Sequence, residues 1–280
     1  MALKHILIAV PTMAGIMKAK TATTLVMLMR QLTRAGVEAE YLNIDSADII
    51  YARNSYANHV LTSKGLDGLL FVDSDMQFRP ALVMKMLGLE ADVVGVAYPK
   101  RELNLDKFSR AMAEAGAFSQ PAKTKALAKA YNFTVLPSWD SPRLPQLKVQ
   151  HGFTKMAGVG MGCTLISRAA LQAMVDGKVV ERRRDIMEGR ETVSWGFFDS
   201  VKVDDIPLSE DYSFCYRWNR QLGRDIWVCV DEPVSHLGEF GYQARYIDGL
   251  DFVGGPAQRR KPAAAAQPNR DPVVEAEPPA

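Results

Sequence analysis

Leu69-Leu70-Phe71-Val72-Asp73-Ser74-Asp75-Met76 decides how the rest of the chain is read. The apolar run is short, opens after Gly68 and stops on two acids two residues apart, which is the pattern of a buried strand ending at a polar turn. Along extended backbone, residues i and i+2 face the same side. Asp73 and Asp75 therefore converge beyond the carboxyl end of the strand, where open α/β sheets bind their ligands. Two converging carboxylates repel each other unless a cation or a hydrogen-bond donor compensates. Hard oxygen ligands suit Mg²⁺ or Mn²⁺, and such an ion would bridge to a substrate diphosphate. The plainer alternative is an acidic turn in which one Asp caps a helix.

Upstream and downstream of this strand the chain alternates between two kinds of segment. Residues 5–10 and 37–44 read as strands, and 18–35 as a helix with Leu25, Leu28, Met29 and Leu32 on one face and Gly36 at its end. A second helix is expected over 55–64, closed by Gly65. Pro80 can open a third that runs to Leu87, and 92–98 is a fourth strand. This rhythm predicts an α/β fold with a mostly parallel, Rossmann-like sheet covered on both faces.

After Pro99 the rhythm weakens. Helices are expected over 103–117 and 123–130, and residues 134–150, with three prolines, are expected to meander. Strand character returns at 163–166, and Ser167 can cap a helix through Val175. Residues 177–200 read as a charged loop, 209–222 as a helix ended by Gly223, and 226–230 as a late strand. From Gly254 the composition turns to Pro, Ala, Gln and charges, which cannot offset the entropy of ordering. The expected organisation is one domain over 1–253, in two halves divided at about residue 100. Residues 254–280 would be a disordered tail, with a short basic run at Arg259-Arg260-Lys261.

Composition sets outer limits. The chain has 280 residues, 48% hydrophobic and 24% charged, enough for a sizeable core. A net charge of +2 gives no strong field toward nucleic acid or an anionic membrane, so nucleic acid is an unfavoured partner. The three cysteines, Cys163, Cys215 and Cys229, form no C-x-x-C pair and are expected as buried free thiols in a reducing compartment. No run approaches the roughly 20 apolar residues of a membrane span. A cytoplasmic protein is expected, with peripheral membrane contact left open.

Four further features carry chemistry. Glu210-Asp211 opens a predicted amphipathic helix; such acids serve as ordinary partners of the helix dipole, or as a base taking a proton from a hydroxyl. His236 follows the late strand and can add an imidazole to the acidic pair. Gly158-Val159-Gly160-Met161-Gly162 imitates a dinucleotide fingerprint, but it precedes a strand where that motif opens a helix after the first strand. Its glycines instead permit close backbone approach, to a ligand or within a tight turn. Pro11 and Thr12, after the first strand, and Arg53 and Asn54, expected just before the second helix, are candidate nucleotide contacts, with Arg53 suited to a diphosphate. Trp195, Phe197 and Phe198 form either a sugar-stacking platform or a pin holding their loop to the core.

The order of strand, Asp73-Ser74-Asp75, glycine segment, Glu210-Asp211 and His236 resembles the GT-A glycosyltransferases, especially family-2-like ones, over roughly residues 3–240. That resemblance implies a GT-A fold with a smaller acceptor-side subregion, a nucleotide-diphosphate-sugar donor and Mn²⁺ or Mg²⁺. It implies a glycan, lipid-linked or other hydroxyl acceptor. Asp75 and His236 would be metal ligands, and Asp73 would contact ribose or metal. Asp211 would be the base of an inverting transfer, and Glu210 would bind the acceptor or orient Asp211. Ser74, Pro11, Thr12, Arg53 and Asn54 would line the donor. A non-catalytic nucleotide-sugar-binding module of the same fold and a nucleotidyltransferase remain as alternatives; the latter normally carries a glycine-rich basic loop that Val10-Pro11-Thr12-Met13-Ala14 lacks.

Overall fold

The computed structural model describes residues 3–116, 119–140, 147–187, 190–238 and 241–250. Its centre is a seven-stranded sheet. The strands are β1 (His5–Thr12), β2 (Glu38–Asp45), β3 (Gly68–Val72), β4 (Val93–Val96), β5 (Phe153–Met156), β6 (Cys163–Ser167) and β7 (Ile226–Cys229), in the order β2-β1-β3-β6-β4-β7-β5. β1 pairs in parallel with β2 and β3, and β7 with β4. β6 runs antiparallel between β3 and β4, and β5 antiparallel on the edge. Five strands thus point the same way, giving the mostly parallel Rossmann-like sheet that the alternation predicts.

Period-two alternation feeds two cores. Ile6, Ile8 and Val10 of β1 pack with α1 (Ala19–Arg34) and α3 (Ala81–Leu87) on one face. Leu7 and Ala9 pack with α2 (Ile49–Thr62) and α6 (Arg168–Asp176) on the other. β3 is buried along its whole length, as a strand covered on both faces must be. Each fully buried Leu or Phe here contributes roughly 1.5–3 kcal/mol. Ser167 caps α6 by accepting the Ala170 N–H, as its position in the sequence predicts.

Three expectations change. α2 begins at Ile49, not Ser55, because the Asp48 carboxylate accepts the Tyr51 N–H at 3.0 Å and caps the helix. Arg53 and Asn54 therefore lie inside α2, both buried, and not ahead of it. Residues 177–200 are not one loop: Arg182–Met187 and Arg190–Trp195 pair as an antiparallel hairpin. The third change concerns the helix expected over 209–222. It is α7 (Glu210–Cys215) followed by a π-helical turn, Tyr216–Gln221, which buries the Arg217 side chain. The region after Pro99 carries α4 (Leu105–Ala115) and α5 (Gln120–Ala130), close to the helices expected. The tail expected over 254–280 lies outside the described residues.

The hairpin is tied to α2 by that helix's own side chains. Asn58 pairs with both backbone groups of Trp195, at 2.9 Å and 2.8 Å, much as a neighbouring strand would. Asn54, one turn earlier, accepts the Phe198 N–H and donates to Asp199. Asn58→Ala is expected to lower stability by about 1–3 kcal/mol, since it strands a donor and an acceptor of the Trp195 backbone. Urea denaturation measures this; an unchanged midpoint would mean that the hairpin is held by other contacts.

Candidate functional site

The carboxyl ends of β3 and β4 and the start of α7 surround one buried guanidinium. Arg53 projects from α2 with its side chain only 3% exposed. Its Nη2 meets Asp73 Oδ1 at 3.1 Å and Oδ2 at 3.4 Å. Its Nε stands 3.6 Å from Glu210 Oε1 and 3.6 Å from Asp211 Oδ1, close enough for attraction but without a hydrogen bond. The Phe71 ring lies beneath it, 5.0 Å from centroid to guanidinium carbon. Acids 137 positions apart, Asp73 and Glu210, thus share one cation. Burial works to lower the Arg53 pKa, but Asp73, Asp211 and Glu210 outweigh it, so the group stays charged.

Asp211 carries the most displaced carboxyl of this set. Burial raises its pKa most strongly, Arg53 opposes, and Glu210 and Asp73 add repulsion. The result is a carboxyl pushed up to about 7. Its Oδ1 is buried without a hydrogen-bond partner, as are Arg53 Nε and Nη1.

Asp75 belongs to a second, adjoining cluster. The short strand Met76–Gln77 pairs with Val234–Leu237, placing His236 opposite Met76. His236 Nε2 then lies 3.3 Å from Asp75 Oδ2. The other ring nitrogen, Nδ1, lies 3.1 Å from the Pro99 carbonyl oxygen, which can only accept. In the neutral ring Nδ1 therefore holds the proton, and the Nε2 lone pair faces the carboxylate. Two acceptors so opposed need positive charge between or beside them. Arg101 supplies some, 3.2 Å from the same Oδ2, on a half-exposed side chain.

The remaining expected residues are placed as follows. Pro11 and Thr12 end β1, both buried, with Thr12 Oγ1 3.1 Å from Asp45 Oδ1. Asp45 also accepts the Gly15 N–H, so it ties the first loop to the end of β2. The Ser74 carbonyl accepts the Lys18 N–H at 2.9 Å and joins that loop to the acidic turn. Asn54 is turned toward residues 198–199, with both halves of its amide engaged there. Phe197 and Phe198 are fully buried, so they pin their segment to the core. Asp45, Tyr98, Arg101 and Asp199 were not singled out in the sequence. The only local signal was that Asp45 follows, and Tyr98 ends, a predicted strand of the parallel set.

Among the described residues, no three His, Cys, Asp or Glu side chains gather into a closed metal cage. The three cysteines are free and buried. No helix of the described residues is long and apolar enough to cross a membrane.

No protein-family profile and no curated protein sequence matches the chain. Among solved structures, it is similar to the crystal structure of A197 from STIV, with 14% identity over 83% of this chain and 85% of that one and a TM-score of 0.44. It is also similar to the inositol-1-phosphate CTP transferase from T. maritima, with 9% identity over 81% and 85% and a TM-score of 0.36. A third likeness is to mouse xyloside xylosyltransferase 1 in its apo form, with 10% identity over 61% and 68% and a TM-score of 0.26.

Proposed function

We propose that this protein is a divalent-metal-dependent glycosyltransferase, moving a sugar from a nucleotide-diphosphate-sugar to an acceptor hydroxyl with inversion. The observation that carries the reading is the convergence of Asp73, Glu210 and Asp211 on buried Arg53, next to the Asp75–His236 pair.

The donor set suits Mn²⁺ or Mg²⁺. Asp75 and His236 would hold the ion through Oδ2 and Nε2, which lie 3.3 Å apart. Such ions take one or two protein ligands and complete their shell with water and substrate phosphates, so a closed cage is not needed. When bound, the metal neutralises the diphosphate leaving group. Asp73, held by Arg53, would face the donor's ribose or the metal. The first loop, fixed by Asp45 and by the Ser74 carbonyl, would cover the nucleotide with Pro11 and Thr12.

Asp211 would act as the base. A carboxyl whose pKa lies near neutrality takes a proton from a hydroxyl far better than one near 4, because base strength follows pKa. Glu210, on the same side of Arg53, would bind the acceptor or restrain Asp211.

A thermal-shift screen of UDP-, GDP-, dTDP- and CMP-linked sugars, with and without Mn²⁺, tests donor and metal together. Stabilisation by one donor only when Mn²⁺ is present is expected. In the same assay Asp75→Ala is expected to raise the Mn²⁺ concentration needed by about tenfold or more, in the range seen when a ligand's support is lost. Stabilisation by every nucleotide-sugar without metal would instead favour a binding module.

A further inference from the structure

We infer that Tyr98 is a positioning residue that fixes the acidic turn and the metal-side imidazole relative to each other; its catalytic consequence rests on the transferase reading above. Tyr98 lies just past the carboxyl end of β4 and is 4% exposed. Its backbone carbonyl is gripped twice by Thr134, from the N–H at 3.0 Å and from Oγ1 at 3.1 Å. The side chain is therefore aimed from a fixed base.

The phenol acts at both ends. Its oxygen accepts the Gly162 N–H at 3.0 Å, and the Gly162 carbonyl accepts the Asp73 N–H at 3.0 Å. One glycine thus links the phenol to the backbone of Asp73. The ring meets His236 edge-to-face, with centroids 5.5 Å apart and planes at 89°. Pro99, the next residue, holds His236 Nδ1 through its carbonyl. Residues 98 and 99 together settle where the imidazole sits and which nitrogen it offers.

This arrangement accounts for two of the three glycines of the segment, Gly160 and Gly162. A Cβ on Gly160 would lie 2.5 Å from the phenol oxygen, and one on Gly162 would lie 2.6 Å from it and 3.2 Å from Asp73 Oδ2. Positions 160 and 162 carry no side chain, and the phenol lies against both. The close approach that the sequence suggested is to a side chain of the protein itself.

Tyr98→Phe keeps the ring against His236 and removes only the oxygen. Tyr98→Leu removes both. Hydrogen–deuterium exchange and calorimetry with Mn²⁺ alone read the two links without any turnover. In Tyr98→Phe, amide exchange is expected to speed up at least tenfold in peptides covering 158–163 and 73–76, while α1 exchanges as before. Its Mn²⁺ affinity is expected to stay within twofold of wild type, whereas Tyr98→Leu loses at least fivefold. With a donor found, Tyr98→Phe is expected to lower kcat about tenfold with little change in donor KM.

Unchanged exchange in Tyr98→Phe overturns the inference, whatever the wild type turns over. Faster exchange throughout the chain also overturns it, since that is general loosening. If the local exchange pattern appears but no nucleotide-sugar is ever consumed, the positioning role stands and the transferase reading falls. If wild type and Tyr98→Phe turn over donor alike, the transferase reading stands and Tyr98 is a core residue.

Discussion

Arg53→Met is expected to destabilise the protein by about 3–5 kcal/mol at pH 8, the range found when one partner of a buried ion pair is removed. Methionine fills much of the same space above Phe71, so the loss is not mainly one of packing. What it removes is the positive charge shared by Asp73, Glu210 and Asp211, whose side chains are no more than about a quarter exposed. Without it, three carboxylates face one another in a poorly solvated cleft. They can escape only by taking up protons, so the penalty is expected to shrink as the pH falls toward 5. Urea denaturation at pH 8 and pH 5 measures both quantities. Arg53→Lys keeps the charge but not the planar fork that reaches Asp73 through Nη2 while presenting Nε to the other two acids, and an intermediate loss is expected. Equal stability of wild type and Arg53→Met at pH 8 would mean that the acids are neutralised by something other than this guanidinium.

The strand Gly68–Val72 and its acids were legible because burial on both faces and alternation leave a plain imprint in a short apolar run. The cap of α6 left a similar mark in Ser167, whereas the caps of α4 and α5, Asn104 and Ser119, were not read from the sequence. Residues of the site were recognisable by type. Their partners were not, because each contact depends on a register that local sequence does not print. Arg53 reads in sequence as a residue ahead of the second helix; the Asp48 cap places it inside α2, with its Nη2 on Asp73. Tyr98 is indistinguishable in sequence from an aromatic that merely fills the core. Its use depends on Gly162, 64 positions away. The hairpin at Arg182–Trp195 was hidden for another reason. A two-stranded ribbon with charged residues on both faces lacks the alternation by which half-buried strands are found, and its anchorage comes from Asn58 of a different element.

Asp211→Asn is expected to leave donor binding intact, to lower transfer by roughly 10²–10⁴-fold, as loss of a general base does, and to make the folded protein more stable at pH 8. The first two effects follow from the amide's inability to accept the acceptor's proton while it preserves size and position. The third follows from the same displaced pKa. Folding raises the Asp211 carboxyl from an ordinary value of 3.8 to about 7, chiefly through burial. Between those values the folded chain holds a proton that the unfolded chain releases. Asp211 therefore favours folding fully below about pH 4, and that contribution is lost as the pH rises through about 7. Wild-type transfer is expected to follow the opposite course, increasing with pH to a half-maximum near 7 as the carboxyl deprotonates. Asparagine carries no charge at any of these pH values, so its melting temperature is expected to match wild type near pH 4 and exceed it by several degrees at pH 8. Thermal melts across this range, paired with transfer rates, separate the base from a merely structural acid. Transfer at a near wild-type rate by Asp211→Asn would place the base elsewhere. A melting difference that stays constant with pH would show that folding does not displace this carboxyl, and the strain that Asp211 imposes on the fold would then have no part in making it a base.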